Sequence, residues 1–200
     1  SSALIYLSEF DMCPSASDSF TVDQVEQQLR AWLDDFVIDL NLCPFAGPVI
    51  ASDGLRIAVC ESNQLQQVAE TFMSELDLIE RSPESAIATT ILALPNALLD
   101  FEDYLSFIDN AEALLEDSGS DSIIQLASFH PDYQFDGEAA DAVSHFTNRS
   151  PYPLIHLLRV EMMAKALETF PNPEAIPELN IATLEELGRS EIARRWNKFK

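Results

Sequence analysis

The chain has 200 residues, of which 47% are hydrophobic, and a formal charge of −23 at neutral pH. That length and apolar content exclude a disordered chain, and no apolar run approaches the roughly 20 residues of a bilayer span. Five of the eleven basic residues (Arg189, Arg194, Arg195, Lys198, Lys200) fall in the last dozen positions, so the remainder is an acidic body expected to repel nucleic acid and anionic membranes.

Cys13, Cys43 and Cys60 are odd in number, widely spaced and without a C-x-x-C pair, so neither a disulfide framework nor a zinc ribbon is expected. With no basic n-region at the N-terminus, the chain reads as cytoplasmic.

In chain order, residues 1–19 show no sustained period and are expected to be a poorly ordered arm or an added strand. Residues 20–200 are expected to form one domain. Thr21 and Gln24 have capping-box spacing, and Val22, Val25, Leu29, Trp32, Leu33, Phe36, Val37 and Leu40 follow a helical period up to NLCPFAGP, where the prolines stop the helix. GLRIAVC (54–60) alternates as a half-buried strand with Arg56 on the far side. A helix follows at about 63–80, then the continuous apolar run AIATTILAL (86–94), typical of a strand covered on both faces. Asp100 caps the next helix, and SIIQLASF (122–129) is a third strand.

Alternating strands and helices predict an α/β fold: a small, at least partly parallel βαβαβ sheet flanked by helices, with a helical C-terminal part. The alternative is a ferredoxin-like sandwich, if the N-terminal arm or residues 132–136 add an antiparallel strand. Beyond 137 the chain reads as helical and irregular, interrupted by PNPEAIP (171–177) and ending in a basic helix.

The stretch NRSPYPLIHLLR (148–159) concentrates uncommon residues. Ser150-Pro151 has the form of a helix start, and on a helix Tyr152, His156 and Arg159 at i, i+4 and i+7 share a sector of roughly 60°. Glu161 and Lys165, spaced for an ion pair, mark the opposite side as solvent-facing, which turns the Tyr-His-Arg stripe inward. A buried arginine or histidine needs a partner, supplied by the protein or by a ligand. Asn148, Arg149 and first-turn amides at Ser150 would then form an anion-sized site.

His130-Pro131 follows the third strand, at the edge where ligands bind in α/β sheets, and could converge with that helix start. The alternative is a turn whose histidine caps a strand and whose aromatics fill the core. Cys43 is a candidate nucleophile beside a histidine, set against a plain buried cysteine at a helix C-terminus, where the dipole raises a thiol pKa. A metal site from Cys43, His130 and His156 is possible by residue type but has no supporting spacing, so no metal is expected. No glycine-rich phosphate loop is present and the sequence identifies no cofactor.

LCPFA (42–46), HPDYQF (130–135) and NRSPYPLIHLLR (148–159) resemble, in order and approximate spacing, domain-of-unknown-function family 1415, found in bacterial and plant proteins. The resemblance runs from Phe20 to about Gly188 and implies a shared fold and site, with no activity to transfer. It falls on Cys43, Pro44, His130, Pro131, Asn148, Arg149, Ser150, Tyr152, His156 and Arg159.

The expected function is an enzyme or binder for an anionic small molecule, a phosphate or carboxylate. His130, His156 and Cys43 would be the catalytic candidates, and Asn148, Arg149, Ser150, Tyr152 and Arg159 the binding ones. A non-enzymatic acidic interaction module is the alternative, and a metal-dependent enzyme the third.

Overall fold

A computed structural model describes residues 20–199, so the expected arm at 1–19 lies outside the described residues. The first helix, α1 (Val22–Trp32), opens with the expected capping box: the Gln24 amide donates to Thr21 Oγ1 at 3.3 Å and the Thr21 amide to Gln24 Oε1 at 3.0 Å. Beyond Trp32 the helix widens into a π-helical segment, Leu33–Ile38, that buries Leu33, Phe36 and Val37. Asn41, at φ 53°, ends it. LCPFAGP does not run on as a loop but forms a short helix, α2 (Ala46–Ala51), with Pro48 in its first turn, where no amide donor is needed.

Next come β1 (Leu55–Val59), α3 (Leu65–Arg81), β2 (Thr89–Ala93), α4 (Phe101–Ser118) and β3 (Ile124–Phe129), the βαβαβ series expected from the periodicities. Asp100 caps α4 by accepting from the amides of Glu102 and Asp103. Arg56 crosses to α3 and grips Glu75 with two bonds of 2.6 and 2.8 Å.

The largest departure is at 148–159. No helix starts at Ser150; Leu154–Arg159 is a strand, β4, and the helix α5 begins only at Val160 and runs to Thr169. Pro153 disfavours helical backbone at Tyr152, which would have been the second residue of that helix. β4 inserts between β2 and β3, antiparallel to both, giving the order β1-β2-β4-β3 with β1 and β2 parallel. The antiparallel strand of the ferredoxin-like alternative thus exists, but 154–159 supplies it and it comes last, after two βα units. The result is a mixed α/β fold, its sheet covered by helices on both faces.

Strand alternation divides the side chains of β4. Ile155 and Leu157 enter the core under α3 and α4, whereas Leu154 packs with α1, the π-helical segment and the C-terminal helices α6 (Ile176–Leu187) and α7 (Arg189–Trp196). The basic C-terminus folds back on the chain: Arg195 pairs with Asp39 and Glu191, and Lys198 with Asp35 at 3.4 Å, while Ile192 and Phe199 are buried beneath. No helix among the described residues is long and apolar enough to cross a membrane.

Candidate functional site

On the α1 side of the sheet is a cavity of about 620 Å³. Its floor is the sheet face carrying Thr89, Ile91, Ala127, Leu154, His156 and Leu158. Its walls come from Trp32, Leu33 and Val37, from Cys43 to Ile50, from Phe135 to Asn148, and from Met162, Met163, Asn180 and Ile181. Phe45 meets Phe170 edge-on at 6.0 Å, joining the α2 side of the wall to the end of α5. The lining is mainly aliphatic and aromatic, and among the described residues no lysine or arginine contributes to it.

His156 is the polar centre of the floor. Its Nε2 lies 2.8 Å from Thr89 Oγ1, and Thr89 Oγ1 donates to the carbonyl of Leu157 at 2.7 Å. Burial drives the imidazole pKa down to about 4, so the ring is neutral at pH 7. An unfolded histidine takes up its proton near 6.5, whereas the folded one resists until about 4. Below pH 6.5 the unfolded state therefore binds more protons, and stability falls as pH drops through that window. The separation sets an upper bound of about 3 kcal/mol, to which the lowered pKa of His130 adds in the same direction. Urea unfolding at pH 7 and pH 4.5 should show His156→Phe losing less stability on acidification than the wild type; equal losses would assign the effect to other groups.

Cys43 stands on the wall of the cavity whose floor carries His156. Its thiol is pushed above its ordinary range by burial, opposed by the amides of Phe45 and Ala46. The thiol thus stays protonated because it is enclosed.

His130 is placed elsewhere. Fully buried, its ring packs against Phe101 and Tyr104 at 5.2 and 5.0 Å, accepts from the Asp132 amide at Nδ1 and donates from Nε2 to the Leu98 carbonyl. This matches the turn alternative, a histidine closing HPDYQF onto the core. His145 is satisfied in the same way, by the Phe135 amide and the Ala139 carbonyl.

The remaining candidates disperse. Arg159 lies on the opposite sheet face and donates to the carbonyls of Ile79, Ser82 and Ile87. The Tyr152 hydroxyl donates to Gln28, and Ser150 Oγ to the Tyr152 carbonyl. Arg149 lies 4.7 Å over the Phe146 ring and donates to the Tyr133 carbonyl, off the cavity wall. Asn148 does line the cavity, with its amide tied to the Ser128 carbonyl at 3.0 Å. The anion site built on a helix start at Ser150 loses its scaffold, since that segment is not helical. Glu161 and Lys165 do pair, at 2.7 Å, but on α5.

Several wall residues had no sequence motif to mark them. Thr89 carried the clearest signal, one of two threonines in the middle of an otherwise apolar strand. Trp32 and Ser144 each hold a buried donor, the indole Nε1–H and the hydroxyl, that finds no partner among the described residues. Such a donor costs about 1–3 kcal/mol unless something accepts from it. Asp136 and Glu138 are exposed and supply the acidic part of the lining. No group of three or more His, Cys, Asp or Glu side chains among the described residues is disposed to hold a metal.

Fold and site together define a mixed α/β protein with an apolar cavity on one face of its sheet. The family model DUF1415, described as a protein of unknown function, matches residues 24–194, and the chain belongs to that family. No curated protein and no solved structure matches it.

Proposed function

We propose that this protein binds a largely apolar small molecule between the sheet and its α1–α2–α6 cover. The observation that carries this reading is the cavity itself: about 620 Å³, well inside the roughly 300–1,000 Å³ of small-molecule sites, with an aliphatic and aromatic lining and a few polar groups. An anion is the poorer occupant, since Asp136 and Glu138 line the space and Arg149 does not.

Binding is favoured over nucleophilic catalysis by the state of the two reactive groups. Burial raises the Cys43 thiol and lowers the His156 imidazole, the reverse of what a thiolate–imidazolium pair requires.

Ala127 stands opposite His156 in the β3–β4 register and lines the same floor. Ala127→Trp should therefore occupy part of the cavity without disturbing the sheet. The neutral probe N-phenyl-1-naphthylamine is expected to bind the wild type saturably at one site, and at least 10-fold more weakly to the variant at an unchanged Tm. No saturable binding to the wild type, or undiminished binding to the variant, removes the basis for the reading.

A further inference from the structure

We infer that the polar end of this cavity selects molecules carrying a hydrogen-bond donor, an alcohol, phenol or amine on an apolar body, with His156 Nδ1 as the acceptor and Thr89 as the residue that sets its polarity. This rests on the cavity being a ligand site, and it concerns which ligands enter.

The argument follows one proton. A threonine hydroxyl has a single hydrogen, and the Leu157 carbonyl can only accept; at 2.7 Å it takes the Thr89 proton. Toward His156, 2.8 Å away, Thr89 Oγ1 can then only accept, so Nε2 carries the imidazole N–H. A neutral imidazole has one such hydrogen. Nδ1 is left as a bare lone pair.

The other two histidines provide an internal comparison. In each, Nδ1 receives a main-chain amide, from Asp132 at 3.0 Å or Phe135 at 3.1 Å. Among the described residues His156 Nδ1 alone receives no donor, and His156 alone of the three lines the cavity. An acceptor fixed by its neighbours and facing an apolar volume discriminates strongly, because a ligand without a donor leaves it desolvated and unpaired. Asp136 and Glu138 act in the same sense. A carboxylate or phosphate would meet acceptors and carboxylates with no cation, whereas an O–H or N–H would meet a partner.

The test uses four ligands of similar shape at pH 7: 2-naphthol, 2-methoxynaphthalene, 2-methylnaphthalene and 2-naphthoate, with affinities from titration calorimetry. 2-Naphthol should bind roughly 5–10-fold more tightly than 2-methoxynaphthalene, with 2-naphthoate the weakest. His156→Phe should bring the naphthol-to-methoxynaphthalene ratio to about 1 while 2-methylnaphthalene still binds, and Thr89→Val should reduce it. ¹⁵N spectra should show His156 protonated at Nε2 only, with its Nδ1 resonance moving on addition of 2-naphthol and those of His130 and His145 unmoved. Equal affinities for 2-naphthol and 2-methoxynaphthalene, or an Nδ1–H tautomer at His156, would overturn donor selection and leave the cavity reading intact. Binding of none of the four would overturn both.

Discussion

His130→Ala is expected to lower the unfolding free energy by about 3–4 kcal/mol while cavity ligands bind the folded variant with unchanged affinity. The ring is fully buried between Phe101 and Tyr104, so its removal leaves a void as well as lost contacts. It also strands the Asp132 amide and the Leu98 carbonyl, each now unpaired. Leu98 adopts a left-handed conformation at φ 54°, unfavourable for a leucine, and His130 is the group that holds its carbonyl in place. His156→Phe should show the converse, a stability change below about 1 kcal/mol at pH 7 with altered ligand preference, because Thr89 retains its bond to Leu157. Urea unfolding of the two variants, read beside ligand titration, separates the roles. A His130 variant of near wild-type stability that fails to bind would return this histidine to the site.

Arg159→Met should cost about 3 kcal/mol, and Arg159→Lys should recover only part of it. The guanidinium makes four contacts of 2.7–3.0 Å with three carbonyls, those of Ile79, Ser82 and Ile87. Two belong to the end of α3, where the last carbonyls lack intrahelical partners and the helix dipole favours a cation. The third belongs to the segment leading into β2. One side chain therefore ties α3, that connection and the end of β4 together, which the compact ammonium of lysine does not span. Methionine preserves much of the apolar stem, so the loss measures the polar contacts. Hydrogen exchange should localise it to the last turn of α3. A change below about 1 kcal/mol, or opening confined to other elements, would refute the capping role.

Much of the fold was legible from periodicity and caps. The capping box at Thr21, the Asp100 cap and the three strands at 55–59, 89–93 and 124–129 depend on local patterns that tertiary contacts did not override. In 148–159 the local signals conflict, because Ser-Pro starts helices and i, i+4, i+7 spacing makes a stripe, while LIHLL is also the continuous run of a strand buried on both faces. The reading applied to AIATTILAL fits LIHLL equally well, and Pro153 favours it. Once the period is two, Tyr152, His156 and Arg159 no longer share a face. His156 looks into the cavity, and Arg159 caps a helix on the other side of the sheet.

The histidines show where sequence information ends. Their identity, the acidic body and the alternation of elements are properties of the chain, readable because each is set by composition or by neighbours within a few residues. The lone pairs of His130 and His145 are filled by near neighbours, the amides of Asp132 and Phe135, but the group that takes a ring N–H can lie far along the chain. Thr89 lies 67 residues from His156, and Leu98 lies 32 residues from His130. Hydrogen-bond saturation is a property of three-dimensional neighbours, so only the folded sheet, with β4 inserted between β2 and β3, turned two of three similar residues into structural ties and left the third facing an apolar cavity.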